Sequence, residues 1–139
     1  MLYNHLIAKQ MYKTKVICEL GINHNGSFNI AKKLIDIASH NKCWGIKFQY
    51  RSLKKKEKSD EIGKEIINLE VKKNYLKPSS INLLAAYAKD KGLQVGISFF
   101  SKIDFLDFKN LNSFDFLKVP SPVSADFDLL SFFFSKKKK

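Results

Sequence analysis

KVICELGINHNGSFNIAKKLIDIA, residues 15–38, joins two different hydrophobic periods across a glycine-containing turn. Its first six residues, Lys15 to Leu20, form a short apolar run with the length and composition of a largely buried strand. GINHNGS follows as a turn, and Ser27 stands where a helix N-cap belongs, since its hydroxyl can accept a backbone N–H of the first turn. From Phe28 to Ala38, residues Ile30, Leu34, Ile37 and Ala38 recur at helical spacing, with Asn29, Lys32, Lys33 and Asp36 supplying the wet face. The unit reads strand, loop, helix.

The same unit recurs downstream. Trp44 to Tyr50, WGIKFQY, predicts a second strand; after a basic stretch, Ile62, Ile66, Leu69 and Val71 predict a helix over 60–73. Pro78 opens another helix with Ile81, Leu84, Ala85 and Ala88 on one side, and Gly92 ends it. Leu93 to Phe100 predicts a third strand, Phe105 to Leu111 a short helix, Phe114 to Val119 a fourth strand ahead of Pro120, and Asp126 to Phe134 a last helix. Strands separated by helical crossovers make an α/β fold with a parallel sheet, whose central strands are apolar because both faces are covered. Pattern alone fits a small open sheet and half a (β/α)8 barrel equally.

Length and composition narrow the class. The chain has 139 residues, against about 250 for an ordinary (β/α)8 barrel, so one domain or part of one is the bound. Residues 1–14 read as a leader, 15–135 as the folded portion and 136–139 as a basic tail. A 45% hydrophobic share with 12 Phe supplies a core. Cys18 and Cys43 lie in or beside apolar runs, away from metal-ligand spacing, and read as buried thiols of a reducing cytoplasm. No signal-type apolar region opens the chain, and no apolar run approaches the roughly 18 residues of a spanning helix, so a cytoplasmic location without membrane insertion is expected. The net charge of +12 collects in Lys136 to Lys139 and in Arg51, Lys54, Lys55, Lys56 and Lys58. Without a helix-turn-helix, zinc-finger spacing or aromatic RNA-binding motif beside them, these runs read as solvated loops, and nucleic acid is not the expected partner. His5, His24 and His40 are too scattered for a metal site of their own, and neither a nucleophile elbow nor a GxGxxG loop is present.

Polar residues interrupt the strands. Lysine inside an apolar strand calls for an explanation, and both Lys47 in GIKFQ and Lys118 in FLKVPS are so placed. Glu19 sits near the end of the first strand, with Asn23, His24 and Asn25 in the loop after it. In parallel α/β folds the carboxyl ends of the strands form the ligand face. Two ammonium groups and Ser121 suit a phosphate or carboxylate there, and Glu19 suits orienting a hydroxyl or taking a proton.

ICELGINHNGSFNIAKKLIDIA, Ile17 to Ala38, strongly resembles the opening of the N-acetylneuraminate (sialic acid) synthases and their relatives making legionaminic or pseudaminic acids; IKFQ at Ile46 to Gln49 and FLKVPS at Phe116 to Ser121 follow in the family order. The resemblance covers roughly residues 15 to 130 and implies the first part of a synthase (β/α)8 barrel, about four βα units with parallel strands. It implies condensation of phosphoenolpyruvate with an N-acetylated amino sugar, such as N-acetylmannosamine, to a nine-carbon 2-keto acid, with phosphate released. By the same resemblance Glu19, Lys47 and Lys118 look like the catalytic set, the lysines gripping phosphoenolpyruvate, with Asn23, His24, Gln49 and Ser121 as substrate-binding positions.

Departures accompany it. FSKIDF stands where relatives often read FSTPFD, which puts Lys102 in the place of a threonine associated with phosphate binding and makes it a substrate-binding candidate. The family's divalent metal, manganese or magnesium, takes its histidine ligands from a part of the barrel beyond residue 139. The expected state is therefore an incomplete synthase, working with a missing C-terminal half or as a homodimer; the alternatives are an inactive fragment or a basic interaction module.

Overall fold

The computed structural model describes residues 14–54 and 64–136. Strands β1 (Ile17–Leu20), β2 (Gly45–Tyr50), β3 (Gln94–Phe99) and β4 (Phe116–Leu117) form one sheet in the order β1-β2-β3-β4. Every pairing is parallel, and the register runs Glu19 to Lys47 to Gly96 to Phe116 across all four strands. The crossovers are α1 (Phe28–His40) after β1, α2 (Lys64–Lys73) and α3 (Pro78–Asp90) after β2, and α4 (Lys102–Leu106) after β3; α5 (Phe127–Ser135) follows β4. The predicted leader up to residue 13, Ile62, Lys55, Lys56, Lys58 and the last three lysines lie outside the described residues.

Side chains alternate between the two faces of a strand, so the register fixes both faces. Leu20, Ile46, Phe48, Val95, Ile97 and Phe99 share the face that meets Ala31, Ile35 and Ala38 of α1 and Ile81, Leu84, Ala85 and Ala88 of α3 in one buried core. Burying a large apolar side chain contributes about 1.5–3 kcal/mol, so this layer carries most of the favourable energy. Beyond it an aromatic cluster of Tyr50, Phe99, Phe105, Phe108 and Phe133 packs largely edge to face and anchors α4 and α5. The opposite face carries Glu19, Lys47, Gln49, Gly96, Ser98 and Phe116.

Local signals read from sequence hold at several boundaries. Ser27 Oγ accepts the Ile30 N–H at 3.3 Å, Pro78 begins α3, and Gly92 follows that helix with a φ of +80°, a conformation costly for any residue with a Cβ. Four expectations need correction. In α1 the buried stripe is Ala31, Ile35 and Ala38, whereas Ile30 and Ile37 are exposed; small alanines let the helix approach the sheet closely. In α2, Ile66 and Leu69 are 70% and 66% exposed, because that helix does not lie against the apolar face of the sheet. The helix assigned to 105–111 begins instead at Lys102, since Ser101 Oγ caps the Asp104 N–H at 3.2 Å. The fourth strand pairs over Phe116 and Leu117 only, so Lys118 stands just past its end, its N–H donating to the Ile97 carbonyl at 3.0 Å.

Gly96 explains how β4 sits. A Cβ at this position would overlap the ring of Phe116, which lies across the glycine and stacks on Trp44 with centroids 5.8 Å apart. Gly96→Ala should therefore push the Phe116 ring off β3, at a cost of about 1–3 kcal/mol typical of overpacking. Urea denaturation followed by fluorescence checks this, because Trp44 is the sole tryptophan and its emission should change in the native baseline as well.

Candidate functional site

Glu19 and Lys47 are register partners on neighbouring strands, and Glu19 Oε1 lies 2.5 Å from Lys47 Nζ. The pair is asymmetric: the lysine side chain is 8% exposed and the glutamate 57%. Lys47 is thus a nearly buried lysine whose ammonium is held by a carboxylate that water can reach. Gln49 lies one side-chain position further along the same face. A Cβ on Gly21 would come within 3.1 Å of Gln49 Oε1 and 3.5 Å of Glu19 Oε1, so the missing side chain leaves the glutamate and the amide next to each other. Lys118, exposed just after β4, follows Phe116 by two residues and shares this face by alternation.

The loop after β1 is built by its own hydrogen bonds. Asn23 Nδ2 donates to the Glu19 carbonyl at 3.1 Å, the Asn25 N–H to the Ile22 carbonyl at 3.0 Å, and the Gly26 N–H to His24 Nδ1 at 3.0 Å. Asn25 and Gly26 both take positive φ, 49° and 72°. His24 is buried, and that burial holds its imidazole below the usual pKa, against a hydrogen bond to the Gly21 backbone that works the other way. The ring accepts from the Gly26 N–H and shapes the loop. Together with Gly21, Gln49, Arg51, Asn74 and Tyr75 it lines a cavity of about 260 Å³ between the strand ends and α2.

Of the remaining residues singled out in sequence, Lys102 is exposed and its ammonium lies 5.8 Å from the centre of the Phe132 ring of α5. Ser121 is exposed in a 3-10 turn, where its carbonyl accepts from Ser124 Oγ at 2.8 Å. The structure therefore gathers Glu19, Lys47 and Gln49, keeps Lys118 on their face, sets His24 behind Gly21, and turns Lys102 toward α5. Cys18 and Cys43 are half-buried free thiols with sulfurs 3.2 Å apart; burial, then Cys43, pushes the Cys18 pKa up to about 11. Of the basic cluster, Arg51 packs its guanidinium 3.5 Å from the Phe100 ring centre, and Lys54 pairs with Asp107.

Two carboxylates that tie the chain beyond β2 to the segment after β3, outside the site itself, were missed in sequence. Asp104 is fully buried and accepts the Ser52 N–H at 2.8 Å and the Phe100 N–H at 2.9 Å, tying together the chain just beyond β2 and β3. The S-x-x-D pattern of Ser101 to Asp104 was the available signal. Asp107 accepts from Tyr50 Oη at 2.8 Å; burial raises its pKa, yet hydrogen bonds from Lys54, Ser52 and Tyr50 outweigh that and hold it below the ordinary carboxylate value.

No family model matches the chain. A 39-residue segment, 28% of the chain and 12% of the relative, is 54% identical to the N,N'-diacetyllegionaminic acid synthase of Campylobacter jejuni. The N-acetylneuraminic acid (sialic acid) synthetase of Leptospira borgpetersenii, solved with citrate, superposes with a TM-score of 0.68 at 27% identity, over 83% of this chain and 39% of that one. The chain is a partial relative of the sialic-acid synthases. The spore coat polysaccharide biosynthesis protein E of Chromobacterium violaceum shares the fold of this synthase relative, with a TM-score of 0.75 at 22% identity over 91% of this chain and 39% of that one. The four βα units superpose on part of these solved barrels, and the chain spans about two fifths of the length of each. Among the described residues no helix is long and apolar enough to cross a membrane.

Proposed function

We propose that this chain supplies the phosphoenolpyruvate-binding part of a cytoplasmic synthase that condenses phosphoenolpyruvate with an N-acetylated amino sugar to a nine-carbon 2-keto acid. The observation that carries the reading is the Glu19–Lys47 pair, which joins two neighbouring parallel strands on the face shared with Gln49 and Lys118. An ammonium desolvated along its stem and fixed in direction makes a stronger anion contact than a mobile surface lysine. In this reading Lys47 and Lys118 grip the phosphate and carboxylate and stabilise charge on the departing phosphate, while Glu19 orients Lys47 and faces the reacting groups. Kinship with a legionaminic acid synthase and a sialic acid synthetase supports the amino-sugar class of the second substrate.

The divalent metal of such synthases polarises the sugar carbonyl. Among the described residues no three His, Cys, Asp or Glu side chains converge on one point, so these residues do not fit that ion and the proposed role stays with the phosphoenolpyruvate side. Titration calorimetry of the full chain with phosphoenolpyruvate tests the reading, followed by a phosphate-release assay with N-acetylmannosamine and manganese. Saturable binding of phosphoenolpyruvate is the expected result. Absence of binding at millimolar ligand overturns it, whatever the assay of turnover gives.

A further inference from the structure

The chain has two cysteines, and their sulfurs lie 3.2 Å apart although 25 residues separate them in sequence. Both are free thiols, half-buried against the core, so a small solute reaches them. Neither belongs to the face proposed to bind phosphoenolpyruvate. Cys18 alternates with Leu20 on the helix-covered side of β1, opposite Glu19.

The backbone builds this contact from both sides. Lys42, in the turn after α1, takes a φ of +55°, an uncommon conformation for a residue with a Cβ. The Cys43 N–H then donates to the Ala38 carbonyl at 3.0 Å, at the end of α1, and the Trp44 N–H donates to the Val16 carbonyl at 2.9 Å, two residues before Cys18. Cys43 is thereby tied to the helix through its own amide and to the start of β1 through its neighbour's. Thiols so placed need to close by only about 1 Å to reach the length of a disulfide bond, about 2.05 Å, a movement within reach of side-chain rotation.

We infer that Cys18 and Cys43 form a reversible modification site, oxidised by a low-molecular-weight disulfide to an intrachain cross-link. One cysteine, as its thiolate, attacks a sulfur of the small disulfide; a mixed disulfide forms and one small thiolate leaves. The other cysteine, also as its thiolate, attacks the protein sulfur of that mixed disulfide and expels the second small thiolate. The two protein thiols give up two electrons in all, the small disulfide is reduced to two thiols, and the two cysteine protons end on them. In a reducing compartment the pair rests as thiols, and the cross-link forms as the surrounding thiol pool turns oxidising. Because burial and Cys43 push the Cys18 pKa up to about 11, the exchange is slow, and the site is a stabilising clasp rather than a fast sensor. The loop it closes contains all of α1, and closing it restricts the unfolded chain.

The test incubates the folded full chain with oxidised glutathione, quenches in acid, and maps the cysteines by alkylation and peptide mass after unfolding, beside a thermal melt of the same sample. Both thiols should be lost to alkylation, the peptides of Cys18 and Cys43 should be joined, and the melting temperature should rise by about 5–15 °C, with dithiothreitol reversing all three. Cys18→Ala and Cys43→Ala should show no rise with glutathione, and a rise that persists in either overturns the inference. Two alkylatable thiols after prolonged incubation also overturn it, as do a stable glutathione adduct without the cross-link and disulfide-linked dimers in its place. A cross-linked chain that melts no higher than the reduced one overturns the role as a clasp. The mapping and the melt are made on the wild-type chain, so they decide the matter even where an alanine variant fails to fold.

Discussion

Asp104→Ala should destabilise the fold by about 2–4 kcal/mol, because it orphans one buried and one half-buried backbone donor, and a buried donor costs about 1–3 kcal/mol unpaired. Those donors are the N–H groups of Ser52 and Phe100, which both end on the Asp104 carboxylate. Domains of this size are held by about 5–15 kcal/mol in total, so the loss is a large share of the whole. The urea midpoint should fall with little change in slope, since the surface exposed on unfolding is nearly the same. Asp104→Asn, which keeps one acceptor oxygen and replaces the other with a donor, should fall between. A midpoint shift worth less than about 1 kcal/mol for the alanine variant would remove Asp104 from the account of how β2 and β3 are tied. The consequence reaches the site, because Gln49 lies three residues before the clamped Ser52 amide.

That clamp marks the boundary of what a one-dimensional reading gives. The strand-loop-helix opening was legible because its determinants are local: an apolar run, a turn with Asn25 and Gly26, and a cap at Ser27 bonded three residues on. The α3 face was legible because Ile81, Leu84, Ala85 and Ala88 leave a single helical stripe to choose. In α1 two stripes compete, one bearing Ile30 and Ile37 and one bearing Ala31 and Ile35. Side-chain size favours the first, and close approach to the sheet selected the second. Asp104 was hidden because Ser52 is 52 residues away. The site divides the same way. Lysines in apolar strands identified Lys47 and Lys118, and resemblance added Glu19, but the Glu19–Lys47 contact depends on inter-strand register, which no single strand encodes.

Lys47→Met should lower phosphoenolpyruvate affinity about 100-fold or more while leaving the chain folded. Methionine keeps the buried stem, and exchanging a desolvated ammonium for an apolar group of similar length is often neutral for stability. The carboxylate left behind on Glu19 is 57% exposed and can be hydrated, so no buried charge is stranded. Binding suffers twice. One hydrogen bond from a charged donor is worth about 1.5–3 kcal/mol, roughly 10–100-fold, and Glu19 now repels the incoming anion without a cation beside it. Lys118→Met should cost less, about tenfold, because its ammonium is exposed and its field is shared with water and salt. Lys54→Met serves as the control: that lysine pairs with Asp107 away from the site, and its loss should move affinity by no more than a few-fold. Calorimetry on the three variants at two ionic strengths separates a built site from general basicity. If affinity instead tracked the number of lysines removed, with Lys54→Met and neutralisation of Lys136 to Lys139 weakening binding as much as Lys47→Met, the anion would be held by diffuse charge. The shared face of Glu19, Lys47 and Lys118 would then have no chemical role.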